Sequence, residues 1–141
     1  MIFGCFLLEF RDWFYSVAFV LCDYYFFIIQ LMQHTYNLQD TPFLWIRDWS
    51  KTVEIRLFDD KRKQLWLLDT IVFKNVEFGS IEKSVVGLTY HKSFEALINH
   101  YPDGTFWPIE KTDLISKLYT FYDKTKETEL WVLAINLDDI E

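Results

Sequence analysis

Histidine, cysteine, serine and paired carboxylates are the side chains of this chain that could do chemistry, and their spacing is wrong for most of it. His34, His91 and His100 stand far apart. His91 and Glu95 would share a helix face only if a helix began before Ser93, and His100 falls off that face. Cys5 and Cys22 sit in apolar runs, without metal-ligand spacing and without the basic neighbours that lower a thiol pKa. They read as small buried hydrophobes of a reducing compartment. Ser80 follows Gly79, but no Gly-x-Ser-x-Gly turn surrounds it. No metal, no cofactor and no catalytic nucleophile is expected, with both remaining histidine candidates, His34 and His100, placed at the surface.

Carboxylates are the larger group. Asp59-Asp60 is followed directly by Lys61-Arg62-Lys63, which reads as a self-neutralising, solvated turn rather than a phosphate site. Asp23 stands alone in an apolar run, where desolvation would raise its pKa. The last forty-one residues carry nine acids against four basic residues. Asp103, Glu110, Asp123, Glu127, Glu129, Asp138 and Asp139 surround aromatic residues that include Trp107. An aromatic surface ringed by acids suits a basic protein partner. Those seven acids and Trp107 are the candidate partner-binding set. The net charge of −7 disfavours nucleic acid, whose phosphates an acidic chain repels.

Certain elements must position these residues. In the segment 12–34, Asp12, Ser16, Asp23, Gln30 and His34 fall within about 40° of one another on a helical wheel. That pattern predicts one long hydrophobic helix with a narrow polar edge, preceded over 2–10 by a strand or by an extension of the same helix, the strand being preferred. A membrane span over 13–33 is disfavoured by Asp23 at its midpoint and by the lack of flanking Lys or Arg. Asn37–Pro42 reads as a connection, and 43–49 as a short strand or helical turn. Thr52–Phe58 alternates, with Val53, Ile55 and Leu57 on one side and Glu54 and Arg56 on the other. With Gln64–Phe73 it reads as a β-hairpin. Gly79–Ser84 reads as a loop and Val85–Tyr90 as a strand. Ser93 caps a helix whose apolar face is Phe94, Leu97, Ile98 and Tyr101. Thr112 caps another, with Leu114, Leu118, Phe121 and Tyr122 as its core face and an Asp113–Lys117 pair outside. Leu130–Leu137, apolar on both faces, reads as a buried central strand. The whole, 1–141, is expected to be a single α+β domain: a mainly antiparallel sheet packed by the long N-terminal helix and two shorter amphipathic ones.

In size, class, acidic surplus over 103–141 and lack of an enzymatic motif, the chain resembles the small immunity proteins that protect bacteria from polymorphic or contact-dependent growth-inhibition toxins. Those families share no motif, so no functional residue transfers. The resemblance implies a cytoplasmic, non-enzymatic protein that blocks a basic, nuclease-like toxin domain. The competing expectations are a structural or accessory assembly subunit, and a small membrane-associated protein.

Overall fold

The computed structural model describes residues 31–140, Trp49 and Trp107 excepted. The strand expected over 2–10, most of the helix expected over 12–34, and Cys5, Cys22 and Asp23 lie outside the described residues. Those from Met32 onward form one compact unit.

Five strands make one sheet: β1 (Gln33–Asn37), β2 (Val53–Leu57), β3 (Thr70–Asn75), β4 (Gly79–His91) and β5 (Val132–Asp138), in the order β1-β3-β4-β5-β2. The β1–β3 pairing is parallel and the other three pairings are antiparallel. The α+β class therefore holds, with a mixed sheet. Its two edge strands face each other across a seam. Arg56 of β2 donates from Nη2 to the Asn37 carbonyl at 3.3 Å, and Lys61 donates to the Thr35 carbonyl at 2.8 Å. Side chains, not a backbone ladder, bridge that seam, and they occupy edge acceptors that could otherwise recruit another chain.

Both faces of the sheet are covered, and alternation along β5 divides the two cores. Leu133, Ile135 and Leu137 pack with Tyr36, Phe43, Ile46, Ile71 and Phe73 on one face. Val132 and Ala134 pack with Val53, Ile55, Phe94, Leu97 and Ile98 on the other. This is why LWVLAINL is apolar at every position. Each such large side chain contributes about 1.5–3 kcal/mol by leaving water.

Four helices are described. Helix α1 (Asp40–Arg47) carries Asp40 in its first turn and Arg47 in its last, each favourable to the helix dipole, and buries Phe43 and Ile46. Pro42 falls in the first turn, where no intrahelical N–H bond is lost. Helix α2 (Phe94–His100) starts as its sequence predicts, with Ser93 Oγ accepting from Ala96 N–H. Helix α3 (Lys111–Phe121) starts at Glu110, so Thr112 lies inside the first turn and does not cap it. Helix α4 (Lys124–Leu130) is capped by Asp123, whose side chain accepts from Thr125 N–H.

Several expectations are corrected. Gln33 and His34 are in β1, so no helix reaches them. Helix α1 begins at Asp40, inside the connection expected over Asn37–Pro42, and of the two readings for 43–49 the helical one holds. The predicted hairpin of 52–58 with 64–73 does not form, because β2 pairs with β5 while β3 lies near the other edge. The hairpin partner of β3 is β4, which begins at Gly79 where a loop was expected. Its turn is made by Asn75, whose Oδ1 accepts from Glu77 and Phe78 N–H and whose Nδ2 donates to Leu38 O and Asp40. Gly79 completes that turn at φ +86°, a value that favours glycine. Phe121 is exposed and is not part of the α3 core face.

Candidate functional site

The seam between the two edge strands opens into a cleft of about 340 Å³. Its floor is the end of β1 with Leu38 and Gln39 on one side, and Lys51 with Glu54–Arg56 on the other. Helix α1 contributes Pro42 and Trp45, and α3 contributes Leu114, Lys117, Leu118 and Phe121. The Lys117 ammonium lies 5.8 Å from the centre of the Trp45 ring, so the two helices meet at the mouth through a cation–π contact.

The chemistry of the cleft centres on Glu54. Its residue is 3% exposed, yet the carboxylate is held between two cations. Lys51 Nζ donates to Oε2, and Arg56 Nε stands 2.8 Å from Oε1. The Arg56 contact is ionic rather than directional, since Nε makes no well-aligned hydrogen bond. Burial pushes the Glu54 carboxyl up, but the charges of Lys51 and Arg56, with the Lys51 hydrogen bond, outweigh it and hold it below the usual carboxylate range. Arg56 is also met by the Tyr122 hydroxyl, from the residue that follows α3. Behind the seam, Arg56, Lys61 and Arg62 stand 5.8, 5.0 and 4.8 Å from the Tyr36 ring centre. Burial pushes the Tyr36 hydroxyl up, against the opposing pull of Arg62 and Arg56.

Lys51, Arg56 and Lys117 set three cations against one carboxylate in the cleft lining. The cleft is therefore a locally positive region of a chain with net charge −7. Its remaining walls are aromatic and aliphatic. Such a lining accepts a flat apolar body and holds a negative or acceptor group at the cationic end.

Sequence reasoning placed Glu54 and Arg56 on the polar side of an alternating strand and missed the cleft. A usable signal existed: Lys51, Glu54 and Arg56 form a self-neutralising set on and beside one strand, which can be buried together. The curl of the sheet, which covers the polar side, has no local signature.

The acidic residues expected at a partner surface are not gathered into one patch. Asp103 pairs with Lys111, Glu129 with Lys126 and Asp139 with Lys83. Asp123 caps α4, and Glu110 and Asp138 are exposed. Asp123 and Glu129 flank the start of β5 while Asp138 and Asp139 lie at its far end, roughly 20 Å along a strand of this length. Glu127 is a correction: it is 6% exposed, and its carboxylate accepts from Phe94 N–H and the Tyr119 hydroxyl. Trp107 lies outside the described residues. The basic turn is solvated in part: Lys63 is exposed and pairs with Asp60, whereas Arg62 pairs with Asp59 and is half-buried over the Tyr36 ring.

The histidines divide. His34 is buried against Asp69 at 2.9 Å, contrary to its expected surface place. His100 is exposed, its ring 5.0 Å from that of His91, and burial together with the His100 charge pulls His91 below the usual histidine range. Among the described residues no group of three or more His, Cys, Asp or Glu could hold a metal ion, and no helix is long and apolar enough to cross a membrane.

Fold and cleft together define an α+β domain with a cation-floored cleft in the seam of a curled mixed sheet. Solved structures share the fold. The hypothetical protein PH0355 superposes with a TM-score of 0.69 at 27% identity, covering 77% of this chain and 100% of its own. Protein PF0455 from Pyrococcus furiosus does so with a TM-score of 0.63 at 28% identity, covering 78% of this chain and 99% of its own. Neither name states an activity. No family model and no curated protein matches the chain.

Proposed function

We propose that the domain is a binding protein for a small planar anion, taken up in the cleft between β1 and β2. The observation that carries this reading is the lining itself: three cations and one carboxylate among aromatic and aliphatic walls that include Trp45. The Lys51 and Arg56 charges are half spent on Glu54, so they can share an anionic ligand without being left unpaired when it departs. Among the described residues Lys117 makes no ion pair and meets the Trp45 ring, which leaves its charge to meet a ligand at the mouth. Calorimetric titration with nicotinate, benzoate and orotate tests the reading. Binding of at least one is expected, weakened about tenfold by Trp45→Ala and by Lys117→Glu. Absence of binding to all three, or binding indifferent to both variants, removes it.

A second reading keeps the expectation of a basic protein partner, as in toxin neutralisation. What supports it is that Glu110 and Asp138 are exposed acids without an ion-pair partner among the described residues. Titration with the toxin domain encoded by a neighbouring gene tests it: the complex should weaken on Asp138→Lys and Glu110→Lys, and indifference to both would count against it.

A further inference from the structure

The main chain of β2 carries a recognition feature that no side chain reveals. Two hydrogen bonds fix its hand: Phe58 N–H donates to Trp131 O, and Leu137 N–H donates to Thr52 O. In the register that pairs Val53 with Asn136 and Leu57 with Val132, these make residues 52, 54, 56 and 58 the hydrogen-bonded partners of β5. In an antiparallel ladder the alternate residues turn both main-chain groups the other way. Val53, Ile55 and Leu57 therefore direct N–H and C=O into the seam. On the facing edge, Thr35 and Asn37 direct theirs outward too, and their carbonyls are taken by Lys61 and Arg56. Nothing among the described residues takes those of Ile55.

Ile55 differs from its two equivalents in position. It is 5% exposed and lines the cleft, which Val53 and Leu57 do not. At the cleft a peptide donor and acceptor thus stand side by side without a partner among the described residues, and a group that enters the cleft can complete both. We infer that the cleft reads the edge of its ligand through the Ile55 main chain, and that the ligand is a planar ring with a lactam edge, an adjacent ring C=O and N–H. The ring C=O accepts from Ile55 N–H, and the ring N–H donates to Ile55 C=O. The ring plane continues the β2 edge as an added strand would. Its anionic group then reaches Lys51 and Arg56, which flank Ile55 in the lining. This deepens the cleft reading and rests on it.

The test separates the two. Orotate carries a lactam edge and a carboxylate, 1,3-dimethylorotate carries the carboxylate with both ring N–H groups blocked, and benzoate is a planar anion with no lactam. Orotate should bind about tenfold more tightly than the other two, as expected for a pair of directed hydrogen bonds. Ile55→Pro removes the seam-facing N–H without removing a ladder bond, as an edge strand tolerates. It should abolish the preference for orotate over benzoate. Val53→Pro, the same change outside the cleft, should keep the preference and shows whether the strand tolerates proline. Equal affinity for all three compounds overturns the lactam inference while the cleft reading stands. No binding by any of them removes both. If Ile55→Pro fails to fold, the compound series alone decides.

Discussion

Two carboxylates are buried almost equally deeply, Asp69 at 2% exposure and Glu54 at 3%, and they are satisfied in opposite ways. Asp69 is held by the chain. Its oxygens accept from Met32 N–H, Trp66 N–H and the His34 ring, each at 2.9 Å, and its own main chain bonds Trp66 and Val85. It ties the entry to β1, the turn before β3 and the middle of β4 into one knot. Among the described residues Glu54 touches no main-chain donor. Its partners are two cationic side chains at the floor of the cleft. A carboxylate fixed by peptide groups is architecture, because those donors cannot turn to anything else. A carboxylate fixed by Lys and Arg leaves cations that can also serve a ligand. Burial alone does not distinguish the two, and the identity of the donors does.

The largest effect that can break this comparison is Asp69→Ala. It leaves two peptide donors and a buried imidazole without an acceptor, and should lower unfolding free energy by about 3–5 kcal/mol. Urea denaturation measures it. A loss below about 1 kcal/mol would show that the knot is not structural. Ligand affinity of the protein that remains folded should be unchanged, because Asp69 does not line the cleft.

Glu54→Gln comes next, at about 2–3 kcal/mol, since it leaves Lys51 and Arg56 partly buried without a counter-charge. This loss has a pH signature. The folded carboxyl titrates below its ordinary value of 4.5. Its contribution is thus fully present above that value, and is lost as pH falls through the depressed folded value. The stability gap between wild type and Glu54→Gln should therefore be constant near neutrality and close in acid. A gap that widened on acidification would contradict the ion-pair account. The same substitution should tighten binding of a planar anion, because it frees both cations, and this separates the cleft carboxylate from Asp69.

The sequence made the cores more legible than the site. Phe94, Leu97 and Ile98 sit at helical spacing behind a capping Ser93, and local pattern fixes them. Val132 to Leu137 is apolar throughout, so a central strand covered on both faces is the simple solution. Strand β2 was equally visible, but its partner was not. A charged turn at Asp59–Lys63 suggested a hairpin, whereas the chain runs on through an exposed Trp66-Leu67-Leu68 to β3, away from β2 in the sheet order. Pairing is a long-range choice and the turn residues do not encode it. His34 and Asp69 are 35 residues apart, and nothing local marks them as partners. Glu127 reads as one acid among many until Phe94 N–H and the Tyr119 hydroxyl are seen to converge on it. The cleft depends on the curl that brings both sheet edges together, so Glu54 and Arg56 looked like a solvated face.

The smallest effect sharpens the comparison from the architectural side. Leu68, the residue before Asp69, has φ +71°, in the region that disfavours side chains. It is 59% exposed, so its side chain contributes little packing. Its N–H is held by the Val85 carbonyl, and the contacts of Asp69 fix the residue that follows. The strain persists because the knot over-determines the backbone on its C-terminal side. Leu68→Gly keeps every one of those bonds and removes the steric cost. Against it stands the greater entropy that glycine loses on folding, so the net gain should be modest, about 0.5–1 kcal/mol. Thermal denaturation should show a raised midpoint with no change in orotate affinity. An unchanged or lowered midpoint would mean that the strain at Leu68 costs no more than the entropy that glycine loses on folding.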